Sequence, residues 1–327
     1  MKRRLRRLSS TAAADAAPTY DTVTLKLSHH NAVDQPIHVA LTNGGHAEER
    51  SGGAITIDIY RLRLFIIPQT LRMPSSLEHW ICAWEIPHSY QNSMSAYTLT
   101  CLPFLFDSYD TAGEVLYGDV GQKLDSLAEE QLGIVPLGWT WNGFRSMCTK
   151  TPIRTVADCK NYKLRSPGAQ IYLDTFETLG MSPTVVPWSE AYTAMQSGMV
   201  DGIESGLEAF YTQGFYTLGN NICLSHHMIS IIGPIINADK WNSLSPDTQK
   251  LMKDTWAECQ GDLNQKVIDG ENSYEQKLKD AGCTITEFED RQELIDLFTP
   301  YWTKSAESGG YTDLLNDTLA IVNKNSF

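Results

Sequence analysis

The stretch from Lys163 to Ser205 limits the folds open to this chain more than any other, because strand, turn and helix signals follow one another within it at short intervals. Lys163-Leu-Arg-Ser-Pro167 predicts a strand that ends near Arg165, and Pro167-Gly168 turns the chain away from it. Beyond the turn, Ile171, Leu173, Phe176 and Leu179 recur at helical spacing. Ser189 is placed to cap a second helix over 190–197, and Asp201-Gly202 marks the next turn. That order belongs to an α/β sheet, and it puts Arg165 at a strand's carboxyl end. In open α/β sheets ligands settle at that edge, where loops and helix amino termini supply unpaired N–H donors for an anion. Arginine stays charged and offers a planar fork that matches a carboxylate. The parts of a carboxylate-binding cleft are therefore present: a fixed guanidinium, an aromatic shelf at Trp188 and a tight acidic turn.

The rest of the chain extends the same architecture. Its 327 residues are enough for two lobes, each with its own core. Residues 22–27 alternate apolar and polar and predict a first strand, ending at His29, His30 and Asn31, where a ligand-facing loop would begin. Residues 54–60 predict a second. The helix between them is weakened by Asn43-Gly-Gly45, since each glycine costs about 1 kcal/mol relative to alanine. An amphipathic helix is predicted over 110–130, a strand over 134–139 and a strongly apolar strand over 229–237. Residues 246–282 are expected to form a helical hairpin or one long helix, and 292–323 a largely helical tail.

Charge and cysteine content exclude several classes. Against 39 acidic residues there are 26 basic ones, a formal charge of -13, which argues against nucleic acid and anionic membrane surfaces as partners. An acidic protein that binds an acidic solute must concentrate positive charge locally, which gives Arg145 and Arg165 their weight. The seven cysteines include no C-x-x-C pair and no histidine spacing suited to zinc, so no metal is expected; the thiols are expected as small buried apolar residues. No nucleophile elbow, phosphate loop or dinucleotide fingerprint occurs, so neither catalysis nor a cofactor is expected. Met1-Lys-Arg-Arg-Leu-Arg-Arg7 and the small residues 9–17 look like the two ends of a secretory signal without the apolar core between them. Residues 1–19 are accordingly expected to be a vestigial or truncated signal. No run of 18 or more apolar residues is present.

Several short motifs occur in a fixed order: Leu102-Pro-Phe-Leu-Phe106, Trp141-Asn-Gly-Phe-Arg145, Thr151-Pro-Ile-Arg-Thr-Val-Ala-Asp158, Lys163-Leu-Arg165, Leu179-Gly-Met-Ser-Pro-Thr184, Pro187-Trp-Ser-Glu-Ala-Tyr192, Val200-Asp-Gly-Ile-Glu204 and Leu244-Ser-Pro-Asp247. Each is weak alone. Together they resemble the solute-binding proteins of tripartite ATP-independent periplasmic (TRAP) transporters, the DctP type, over about residues 20–60 and 102–310. The resemblance implies a two-lobed periplasmic-binding-protein fold with a hinge and long C-terminal helices. Lobe I would be 20–142 plus 231–270, and lobe II 143–230 plus 271–327 with those helices. It implies a periplasmic monomer that captures a small organic acid and passes it to the membrane subunits of a TRAP transporter. A ligand-sensing receptor of the same fold is the alternative.

The resemblance assigns the solute carboxylate to Arg165. Arg145 matches a second arginine that holds the ligand or the closed cleft, with a structural ion pair as its other reading. Trp188 stands where phenylalanine is expected and supplies a flat wall, or else packs in the core. Ser205 stands in place of an asparagine, with shorter reach. Trp139 and Trp141 are either cleft aromatics or packing residues, and His30 lies near the cleft at the end of the first strand. Glu190, Asp201 and Glu204 are expected in turn and helix-cap roles. Residues 61–101 keep the family's length but none of its pattern, as a segment read in another frame would. Contacts from that segment are not carried over, and it leaves open a product that does not bind.

Overall fold

A computed structural model of the chain describes residues 18–29, 45–61, 80–84 and 93–325. Its first strands are β1 (Val23–His29), β2 (Ile55–Arg61) and β3 (Trp80–Trp84), with the short helix α1 (Gly45–Arg50) before β2. β1 pairs in parallel with β2 on one side and β3 on the other. The expected strands over 22–27 and 54–60 are thus present within a residue or two of their predicted ends. β3 shows that the atypical segment contributes a strand to the sheet.

A 3-10 turn (Ser95–Cys101) leads into two helices, α2 (Tyr109–Leu116) and α3 (Asp119–Leu132), where the apolar spacing predicts one over 110–130. The hydroxyl of Ser108 caps α2 by accepting from Thr111 N at 3.2 Å. The chain breaks at Tyr117-Gly118 and turns so tightly that a Cβ on Gly121 would run into Leu116 O. The next strand, β4 (Ile134–Pro136), is shorter than the expected 134–139.

β5 (Thr140–Thr149) is followed by β6 (Lys163–Ser166), α4 (Gln170–Thr178), β7 (Ser182–Val185), α5 (Ala191–Gln196), β8 (Gly202–Ser205) and α6 (Leu207–Thr212). β6 lies between β7 and β8, parallel to both, and β8 runs antiparallel to β5. The apolar strand expected over 229–237 is the second half of a 17-residue strand, β9 (Asn221–Asn237), buried along nearly its whole length. One curled sheet results, in the order β2-β1-β3-β9-β5-β8-β6-β7. The end of β9 pairs with β3 and β4, and its start with the far half of β5 and with β10 (Thr284–Thr286).

After α7 (Ala238–Asn242), residues 246–280 form a single helix, α8 (Pro246–Asp280), which settles the choice left open by the sequence. Ser245 caps it and Pro246 occupies its first position, where a missing N–H costs nothing. The helix begins on one core, with Leu251, Met252 and Trp256 packed beneath β1 and β2, and ends on another, where Leu278 joins Ile203, Phe210 and Phe215. The tail is helical as expected: α9 (Arg291–Gly309) and α10 (Thr312–Asn325) pack against the 3-10 turn and against α2 and α3. No helix among the described residues is long and apolar enough to cross a membrane.

Candidate functional site

Three neighbouring parallel strands end together at one edge of the sheet. β6 ends with Arg165 and Ser166, β7 with Val185, and β8 with Ser205. Arg165 is 4% exposed, a depth at which an arginine normally needs partners. Its Nε donates to Val186 O at 2.9 Å, the one hydrogen bond it makes among the described residues. Its Cζ lies 5.3 Å from the centre of the Trp188 ring, and that indole is 37% exposed. Trp188 is therefore a half-open shelf beside the guanidinium, with the Phe215 ring tilted against it at 5.5 Å between centres. Ser205 is half-buried, and its hydroxyl has no partner among the described residues.

The carboxylate beside Arg165 is already engaged elsewhere. Arg145, on β5, grips Glu204 with both arms of its fork, Nε at 2.6 Å and Nη2 at 2.8 Å. Arg165 Nη1 stays 3.8 Å from the same carboxylate, beyond hydrogen-bond reach. Glu204 is fully buried; burial opposes its ionisation, but the charge and hydrogen bonds of Arg145, with the His227 ring close by, hold its carboxyl well below the usual range. His227 Nε2 stands 3.4 Å from Glu204, and Nδ1 is 2.8 Å from Ser225 Oγ. Burial lowers the basicity of His227 despite the neighbouring carboxylate. The neutral ring with its proton on Nε2 fits these contacts, Ser225 donating to Nδ1. Two guanidinium charges then face one carboxylate charge, and burial lowers the proton affinity of Arg165 against the pull of Glu204.

Two expectations are corrected by this geometry. Glu204 caps no helix: it is the hub of the buried ion pairs, on a strand and not in a turn. Ser189 caps nothing either, because it lies inside a 3-10 turn (Trp188–Glu190) that precedes α5, and no side chain caps that helix. Arg145 is ion-paired with Glu204 on the adjacent strand β8, a partner within the same expected lobe and not across the two. Trp139 and Trp141 are 2% and 3% exposed and pack in the core, Trp141 against Tyr109 and Tyr117. His30 lies outside the described residues. Of the cysteines whose side chains are described, Cys101, Cys148, Cys159 and Cys223 are buried, and all six are free thiols.

This strand-edge geometry has known relatives. Residues 27–308 match the profile of the family described as bacterial extracellular solute-binding protein, family 7, also called DctP. The chain belongs to the DctP family. A solute-binding protein of Sulfitobacter sp. (strain NAS-14.1) is 30% identical over 65% of this chain and 65% of its own length. The C4-dicarboxylate-binding periplasmic protein DctP of Rhodobacter capsulatus is 26% identical over 88% of each chain. The match thus spans slightly under two thirds of the first relative and most of the second. A solved TRAP periplasmic solute-binding protein from Ochrobactrum anthropi, with its C-terminus bound in the ligand-binding pocket, superimposes with a TM-score of 0.86 at 21% identity. It covers 94% of this chain and 96% of that one, so this DctP-family chain has the two-lobed fold.

Within this DctP-family chain the sequence motifs pass over His227 and Tyr172. His227 carries a signal all the same, because Ser225, His226 and His227 interrupt a run of apolar residues in β9. Polar residues in a buried strand need partners, and these mark where the partners lie. Tyr172, whose ring lies 5.1 Å from Arg145 Cζ, carries none: it falls on the apolar face of α4 like any packing residue.

Proposed function

We propose that this protein captures a small organic acid in the periplasm, as a monomer, and delivers it to the membrane subunits of a TRAP transporter. The carrying observation is the charge balance at the strand edge: Glu204 is saturated by Arg145, so the buried Arg165 keeps nitrogens free of close partners among the described residues. A single carboxylate completes that balance, and it can accept two N–H bonds from the fork. Trp188 supplies an apolar face beside the anion, and Ser205 a hydroxyl for a polar substituent. Arg145 acts through Glu204, keeping that carboxylate from closing on Arg165. The C4-dicarboxylate named for the Rhodobacter relative supports an acid as ligand. The two lobes would close on it by bending where β5 and β9 cross between them.

Titration calorimetry over mono- and dicarboxylates, keto acids and sugar acids tests the reading. Wild type is expected to bind at least one of them without turnover. Arg165→Ala should weaken that binding about a hundredfold or more, since loss of one member of a desolvated charge pair costs about 3–5 kcal/mol. An affinity for the same acid within about threefold of wild type would exclude Arg165 as the anchor.

A further inference from the structure

Anion capture as proposed above needs Arg145 held in one place on β5, and β5 is irregular there. Its register against β9 slips between Trp141 and Gly143 and again between Arg145 and Met147, so the arginine sits between two bulges. A bulge re-aims side chains but leaves backbone groups outside the ladder. The stray donor here is the N–H of Phe144, the residue just before Arg145. Glu271 Oε1, reaching from α8, accepts it at 2.6 Å, with the Tyr109 hydroxyl 3.1 Å from the same nitrogen. The other oxygen of Glu271 accepts from the Tyr109 hydroxyl at 2.7 Å. Gly143 makes room: its φ is +107°, and a Cβ there would stand 2.8 Å from Glu271 Oε1.

Glu271 is half-buried and has no cation beside it among the described residues, so these two donors alone support its charge. Burial raises its proton affinity against them. Such a placement is costly for a carboxylate: Glu271 stands in the apolar stripe of α8, a turn from Val267 and from Tyr274, where an apolar side chain would ordinarily pack. The helix itself spans both halves of the molecule. We infer that Glu271 is a positioning residue for anion binding, tying the long helix to the bulge that presents Arg145 so that helix and strand bend as one unit. Its effect on binding rests on the capture reading; its hold on the bulge does not.

The test compares Glu271→Ala, Glu271→Gln and Tyr109→Phe with the wild-type chain. Without ligand, amide hydrogen exchange across residues 140–149 reads the bulge directly. Alanine is expected to speed exchange at Phe144 and Arg145 about tenfold, and glutamine, whose amide oxygen still accepts from Phe144, by no more than about threefold. Calorimetry with succinate, D-glucuronate and any other carboxylate that binds wild type should show Kd raised about tenfold in the alanine variant, with most of the loss recovered by glutamine. A cycle with Arg145→Ala should give losses that fail to add, as for residues acting through one another. If the alanine variant does not fold, the glutamine and phenylalanine variants carry the comparison, with Tyr109→Phe expected to loosen the bulge about threefold. Unchanged exchange at Phe144, or strictly additive binding losses, overturns the inference. Failure of every acid to bind wild type counts against capture, and the exchange measurement still decides whether Glu271 holds the bulge.

Discussion

Asp125, on α3, is a half-buried carboxylate whose one hydrogen-bond partner among the described residues is an indole. It accepts the Trp139 N–H at 3.0 Å, and burial, opposed by that bond and by the charge of Lys253, pushes its pKa up to about 7. In the unfolded chain an aspartate titrates at about 3.9. Between these values the unfolded state releases a proton that the folded state keeps, so Asp125 lowers stability progressively as pH rises from about 4 to about 7, with no further change above. Asp125→Asn retains the acceptor for the indole and should flatten this part of the urea midpoint against pH. An identical slope in wild type and variant would refute the assignment. Nothing local in the sequence marks Asp125, whose neighbours are those of any amphipathic helix. Glu204 is equally hidden: the residues around it signal a turn, and only the fold brings arginines from two other strands to it. Arg165 is different, because a strand followed by Pro-Gly and a helix places its last residues at a ligand-binding edge, and that much is written in consecutive residues.

At the scale of elements, period and turn signals locate most strands and helices, but they misjudge lengths. The apolar spacing over 110–130 continues across Tyr117-Gly118, so the break between α2 and α3 leaves no trace in periodicity; close approach of the two helices at Gly121 imposes it. The full length of β9 escapes because the histidines interrupt its apolar run. Along α8, Gln260 donates to Trp139 O, Asn264 Oδ1 accepts from Trp141 N, and Glu271 accepts from Phe144 N, so one face of the helix follows the edge of β5 bond by bond. Gly143 is the point at which that seam admits no side chain. Gly143→Ala should cost about 1–3 kcal/mol in denaturant stability, from the positive φ and the crowding of Glu271 together. A loss below about 0.5 kcal/mol, the range of ordinary surface changes, would mean that the seam relaxes freely.

The whole molecule is one curled sheet with three apolar clusters packed on it, and the double-lobed architecture is recoverable from motif order even though residues 61–101 show none of the expected pattern. What the sequence does not supply is the reach of β5 and β9 through both halves, since a strand's partners lie far along the chain. If closure accompanies capture, small-angle scattering should show a smaller radius of gyration on adding a bound acid to wild type, and no change for Arg165→Ala. A radius unaltered at saturation would mean that binding occurs without lobe movement.

β9 has one more consequence, for how the polypeptide is made. β1 to β3 and β5 to β8 all lie on the amino-terminal side of residue 221, yet among the described residues β3 and β5 are joined only through the strand that begins there. Synthesis therefore produces two incomplete half-sheets with open edges, and neither can be finished until the ribosome has passed residue 237.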